Sequence, residues 1–389
     1  MVDRRSFIAA GLAGSAAGAG ISALGADSGP FVRKRPPSRL KLGCQSGPTS
    51  EAHFAFMARY GVKHISASAL MADPKRLYPT VDELKRLQEM GQRHGISVDM
   101  VDSVLLRSTH IDAEGNPAIM LADSPQRDRD IEAFQTLIRN CAQAGIPAVK
   151  YNMSLLGVLR NYTNGGRGDA VYRGWDRASA QASPPLTRAG LVDADRYWER
   201  IDYFLERVVP VAAEHKVRIA CHPHDPGVPP PGYQGIDTVL GTIDGMKKFI
   251  SLRESPWHGL NFCQGTVSEN LVSPGKEIFD VIRYFGSRKK IFNVHFRNIR
   301  GGRNHFVETF HDDGDVDMLQ AALTYREVGY DGMIMPDHVP LVPPPPGEKS
   351  DEYAYNLGGS NRADDGHEAS FAFAYGYIRG LLQAVERFG

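Results

Sequence analysis

Short apolar runs of about six residues alternate along this chain with longer stretches whose apolar positions recur at helical spacing. Strands are predicted at 40–46, 64–69, 97–104, 147–153, 217–222, 259–264, 291–297 and 332–337, where Val, Ile, Phe and Ala dominate. Helices are predicted between them, among others over 81–94, 126–143, 195–214, 236–252, 316–328 and 368–387, with Thr80 and Asp315 as opening caps. Eight strand–helix units in succession predict an α/β fold of the (β/α)8 TIM-barrel type, one catalytic domain over 40–389. A doubly wound sheet is the structural alternative. No short fixed period runs through the chain, which argues against a solenoid or propeller.

Two stretches interrupt the alternation. Residues 155–194 follow the fourth strand and carry the Gly-rich run Asn164 to Gly168; residues 338–366 follow the eighth and carry Pro343 to Pro346. Loops that leave the carboxyl ends of barrel strands lie on the face where active sites are built, so both are candidate lids. Surface decoration is the plainer reading of the polyproline piece.

Composition adds exclusions. The 389 residues are 42% hydrophobic and 23% charged, with 45 Lys plus Arg against 45 Asp plus Glu. That balance leaves no net positive field for nucleic acid or an anionic membrane, so an anionic ligand must be held by local charge. Residues 1–26 read as an export signal of the twin-arginine type, with Arg4-Arg5 ahead of an apolar run to Leu24, and 27–39 read as a Pro-rich linker. A periplasmic or otherwise exported protein is expected, or a cytoplasmic one if the signal does not function. The apolar run is too short and glycine-rich for stable membrane insertion. Four cysteines, Cys44, Cys141, Cys221 and Cys263, are too few for a disulfide scaffold and read as free or metal-bound.

The chemistry concentrates at the ends of strands five to eight. His222, Cys263, His295 and Asp337 each stand at or near the carboxyl end of a strand, one βα unit apart, so consecutive parallel strands deliver all four to one rim. Within the seventh strand Asn293, His295 and Arg297 share one face, which should point inward. In the fifth, His222 and Cys221 oppose each other; His222 is taken as the ligand and Cys221 as an apolar filler. A lone buried histidine or cysteine is usually packing, but four ligand residues at four strand ends are costly to bury without a common partner. Imidazole, thiolate and carboxylate together do not choose between zinc, iron(II) and manganese(II). With four protein donors, a metal accepting five or six leaves room for substrate, whereas a closed tetrahedral zinc would be structural.

These motifs resemble the mannonate dehydratase family. The matching pieces are Val217 to Pro226, Gly259 to Gly265, Val294 to Asn298, Thr309-Phe310-His311 with Gly314 to Met318, and Pro336-Asp337-His338, with weaker echoes at Asp102-Ser103 and Tyr151-Asn152-Met153. The resemblance implies a (β/α)8 barrel of the xylose isomerase-like kind holding Mn2+ or Fe2+ through His222, Cys263, His295 and Asp337. It implies dehydration of a sugar acid, D-mannonate to 2-keto-3-deoxy-D-gluconate, in uronate catabolism, and it carries a homo-oligomer as a family expectation. Under it, His338 is a candidate acid or base, Arg297 a partner for the substrate carboxylate, and Asp315 or Asp317 either the second acid or base or a helix cap. His224 and His311 are read as loop or supporting residues. The chain departs from the family pattern at Met335, where an arginine is common, and near the last helix, where Tyr355 and Tyr375 are unmatched to an expected catalytic tyrosine.

Two other functions compete. A metal-dependent sugar isomerase or epimerase of the same barrel class would usually use more carboxylate ligands than this chain offers. A non-catalytic exported sugar-acid binding protein would keep the four ligands but not need His338. No Gly-x-Ser-x-Gly elbow or phosphate loop is present.

Overall fold

Eight parallel strands close on themselves in chain order, with the last beside the first. They are β1 Lys41–Ser46, β2 His64–Ala67, β3 Ser97–Asp102, β4 Ala148–Asn152, β5 Arg218–His222, β6 His258–Cys263, β7 Ile291–His295 and β8 Met333–Met335. Each falls where a strand is predicted. The computed structural model describes residues 38–46, 49–343 and 367–388; the signal and most of the linker, up to residue 37, and the polyproline segment from 344 to 366 lie outside the described residues.

Strand alternation builds the barrel in two directions. Outward positions such as Ile65, Val101, Val149, Ile219, Phe262, Val294 and Ile334 are buried against the surrounding helices. Inward, Met100, Ala148, Ala220, Met333 and Met335 form an apolar floor with Phe292. Phe292 joins this floor because the pairing of β6 with β7 slips by one residue between Leu260 and Asn261, so that Leu260 faces Ile291 and Asn261 faces Asn293. Above the floor, inward positions become polar.

The helices follow their end signals. Thr80 opens Val81–Arg93: its hydroxyl accepts from the Glu83 N–H at 3.2 Å while the Glu83 carboxylate accepts from the Thr80 N–H at 2.8 Å. Arg76 donates to the same carboxylate at 2.7 and 2.9 Å, and these bonds pull the Glu83 pKa from 4.5 to about 2. A carboxylate depressed in the folded state stabilises above its unfolded pKa, and that stability is lost as pH falls through the folded value. Glu83→Gln is therefore expected to cost about 1–2 kcal/mol at pH 7, and the gap to wild type should narrow as pH falls from 4.5 toward about 2. Denaturant unfolding of both proteins across that range checks it.

Two expectations need correction. The helix expected over 236–252 begins only at Ile243, because Thr238 is engaged with the backbone of Val228 and Thr242 provides the cap. Met318–Glu327 is capped by Asp317, whose carboxylate accepts from the Gln320 N–H at 2.9 Å, and not by Asp315. The 155–194 insertion also contains structure that its Gly-rich sequence hides. Tyr162–Gly165 and Val171–Asp176 join Ile299–Gly302 and His305–Glu308 in a four-stranded antiparallel sheet, built from segments that leave the barrel after β4 and β7. Among the described residues no helix is long and apolar enough to cross a membrane.

Candidate active site and metal centre

Parallel pairing levels the strand ends. Cys263 faces His295 across β6–β7, Met335 faces His295 across β7–β8, and Asn152 faces His222 across β4–β5. His222, Cys263 and His295 end their strands and Asp337 follows β8, so one ligand atom from each of the four lies within 4.8 Å of every other. Donors about 2.0–2.3 Å from a common ion stand roughly 3–4.6 Å apart. The four residues thus have the spacing of a single-ion site.

Their surroundings fit a divalent cation. His222 Nδ1 meets the Pro223 carbonyl oxygen at 2.7 Å, which leaves Nε2 free to act as donor to an ion, and burial lowers its pKa to about 4, keeping the ring neutral. The Asn261 side-chain amide meets His295 Nε2 at 3.2 Å and is itself held by Asn293 at 2.6 Å. His295 Nδ1 is buried without a well-formed hydrogen bond, 3.3 Å from Asp337 Oδ2. Burial opposes ionisation of Asp337, but the charges of His338 and His295 and the Arg297 guanidinium outweigh it and hold the carboxyl well below its ordinary range. Cys263 Sγ lies 3.6 Å from Asp337 Oδ2. A neutral imidazole, an ionised carboxylate, a thiol and an orphaned ring nitrogen around one point are a donor set that a cation completes.

Arg297 takes a different place from the one expected. It is 1% exposed and does not line the cleft. Its guanidinium donates to Glu308 at 2.6 Å, to Asp225 at 3.0 Å and to Thr266 at 2.8 Å, and lies 2.9 Å from Glu269. Arg160 reaches the same three carboxylates at 2.6–3.1 Å. Gly265 permits this packing, since a Cβ there would stand 2.0 Å from Arg297 Nε. Enclosed by carboxylates and shut off from the cleft, Arg297 does not reach a substrate anion there and is a positioning residue; its Nε, which has no hydrogen-bond partner, lies 4.0 Å from Asp337 Oδ2. Sequence reasoning missed its partners because Arg160, Asp225, Glu269 and Glu308 come from four separate segments.

His338 does line the cleft. Its φ of 44° is in the left-handed region, strained for a non-glycine residue, and its Nδ1 meets Glu308 Oε1 at 2.6 Å, with Arg297 Nη1 packed against the same nitrogen. Glu308 is held well below its ordinary range: burial opposes this, and the charges of Arg160, His338 and Arg297 prevail. With Nδ1 engaged, Nε2 is the nitrogen available to the cleft, 3.9 Å from Asp337 Oδ1.

The remaining candidates lie away from the cleft. Asp315 is exposed and accepts the Gly301 N–H at 2.7 Å, a structural task. His224 is buried against Tyr197 and the Met153 carbonyl, His311 is buried behind the rim, and burial lowers both to about 4. Cys221 is fully buried with its thiol pushed up by burial. Tyr375 is buried in the last helix, and Tyr355 lies outside the described residues. The cleft is closed on its other side by Gln45, Lys150, Asn152, Ser108 and Ser154. Gln45 donates to Asp337 Oδ1 at 2.8 Å. The inward alternation of Ala148, Lys150 and Asn152 along β4 was the signal for this wall.

The chain is similar to known proteins in sequence and in fold. The model of the family described as D-mannonate dehydratase (UxuA) matches residues 172–387. Mannonate dehydratase of Thermotoga petrophila is 28% identical over 299 residues, 67% of this chain and 78% of that protein. Mannonate dehydratase 2 of Halalkalibacterium halodurans is 26% identical over 324 residues, 76% of this chain and 89% of that protein. In fold, the crystal structure of mannonate dehydratase from Streptococcus suis serotype 2 aligns with a TM-score of 0.72 at 21% identity, covering 90% of this chain and 95% of that one. A xylose isomerase domain protein from Planctomyces limnophilus aligns at 0.53 and 13% identity over 90% of this chain and 99% of its own. A family match over more than half of the chain, on a barrel of the same class, has one meaning: this chain belongs to the D-mannonate dehydratase family and is a carbon–oxygen hydro-lyase.

Proposed function

We propose that the protein dehydrates D-mannonate to 2-keto-3-deoxy-D-gluconate, with Mn2+ or Fe2+ held by His222, Cys263, His295 and Asp337. The observation that carries this reading is the convergence of those four donors, three of which, His222, His295 and Asp337, line one polar cleft with His338. A thiol among the donors favours it over the isomerase and epimerase alternative. When bound, the ion supplies Lewis acidity toward carboxylate and hydroxyl oxygens of the substrate, which makes the C2 proton easier to remove.

The chain supplies the rest. Loss of water requires one group to take the C2 proton and one to protonate the departing C3 hydroxyl, after which the enol rearranges to the 2-keto acid. His338 takes one of these roles through Nε2. Glu308 fixes the ring by engaging Nδ1, and Arg297 and Arg160 fix Glu308. Gln45 orients the Asp337 carboxylate.

The test is release of a 2-keto-3-deoxy acid from a panel of aldonates by protein supplied with Mn2+ or Fe2+. Keto acid formed from D-mannonate supports the proposal; bound metal without turnover of any aldonate overturns it. His338→Asn is expected to lower kcat by about 10²-fold with bound metal unchanged, as measured by steady-state kinetics alongside metal analysis.

A further inference from the structure

The cleft wall away from the four donors holds a cation that none of these roles uses. Lys150 occupies an inward position of β4, level with Ala220 of β5, in a strand whose Ala148, Val149 and Tyr151 are all buried. Its side chain is 12% exposed. Among the described residues it is the one Lys or Arg that lines the cleft.

Its surroundings hold the ammonium in place without using it up. Nζ donates to Gln45 Oε1 at 2.8 Å and stands 3.2 Å from Asp102 Oδ2. Asp102 is itself shared, accepting the Ser66 hydroxyl at 2.6 Å. Because Gln45 also donates to Asp337, Lys150 keeps a fixed position relative to the proposed metal ligands. An ammonium has three N–H donors, so these two contacts leave one for the cleft. Placing a lysine inside a barrel mouth carries a desolvation cost that an apolar residue would avoid, and Arg160 and Arg297, the nearby guanidinium groups, are enclosed by carboxylates.

The geometry points to Lys150 as the residue that recognises the substrate carboxylate and so selects sugar acids over neutral sugars. This assignment rests on the sugar-acid reading above. As the C2 proton leaves, negative charge accumulates on the carboxylate oxygens, so the same ammonium contributes more to the transition state than to the bound substrate. Lys150 therefore acts on both binding and turnover.

Calorimetric titration of the manganese-loaded chain with D-mannonate and with D-mannitol, its neutral counterpart without the carboxylate, tests this. Wild type should prefer D-mannonate. Lys150→Met should weaken D-mannonate binding by about 10- to 100-fold and leave D-mannitol binding unchanged, while Lys150→Arg keeps most of the preference. Lys150→Gln, which retains a donor toward Gln45 without charge, is measured in parallel with metal content, and the neutral variant that retains manganese decides. If that variant binds D-mannonate as wild type does, or loses both ligands equally, the assignment fails. A wild type that binds no aldonate overturns the sugar-acid reading itself, an outcome distinct from either.

Discussion

Cys263→Ala is expected to remove at least about 10³-fold of the dehydratase turnover and to leave the purified protein with little bound divalent metal. The thiol ends β6 inside the cluster of four donors, 3.6 Å from Asp337 Oδ2 and 3.6 Å from Arg297 Nη2, and it accepts the Thr266 N–H at 3.4 Å. The Arg297 guanidinium and the Thr266 N–H are both directed at the sulfur and hold it at the rim beside the other three donors. Alanine leaves three donors and a void in a fully buried position, where water cannot take the place of sulfur without disturbing its neighbours. Cys263→Ser, which offers a harder and less acidic donor, should retain more metal than alanine but less than wild type. Metal analysis and the keto-acid assay on the same preparations check both effects. Full metal content and wild-type turnover in Cys263→Ala would remove the basis for the proposed centre.

Why this cluster could be read in the sequence follows from where its members stand. His222, Cys263 and His295 each end a different strand and Asp337 closely follows a fourth, every strand with its own apolar signature, and a parallel barrel brings consecutive strand ends to one rim whatever the loops do. Asn293 and His295 share a face by simple alternation. Elements fixed by distant partners were not legible. The small sheet is made of four- to six-residue strands, two of them ending in glycine, whose pairing joins residues 162–176 to 299–308. Asp315 and Asp317 both satisfy a cap rule, and the choice between them depends on the Gly301 N–H, which occupies Asp315. Lys150 was visible in principle, as a lysine at an inward position of an apolar strand, but a strand with one lysine also reads as an edge strand facing water.

Arg297 is the case where local pattern gave the right face and the wrong partner, and it yields the largest expected effect on stability. Two guanidiniums, Arg160 and Arg297, share three buried carboxylates. Asp225 and Glu308 are held well below their ordinary range, burial opposing and the arginine charges prevailing. Glu269 goes the other way: burial, reinforced by the neighbouring carboxylates, raises it well above its ordinary value, and its Oε2 has no hydrogen-bond partner. The cluster therefore balances as two cations, two anions and one neutral acid. Arg297→Met breaks that balance by leaving buried carboxylate without its counter-charge, at a cost of about 3–5 kcal/mol, and it frees Glu308, so His338 loses its support and turnover falls too. Glu269→Gln replaces a neutral acid by a neutral amide of the same shape and should cost less than about 1 kcal/mol. Denaturant unfolding of the two metal-saturated variants compares these numbers directly, and equal destabilisation by both would show that Glu269 is ionised and that the charge balance drawn here is wrong.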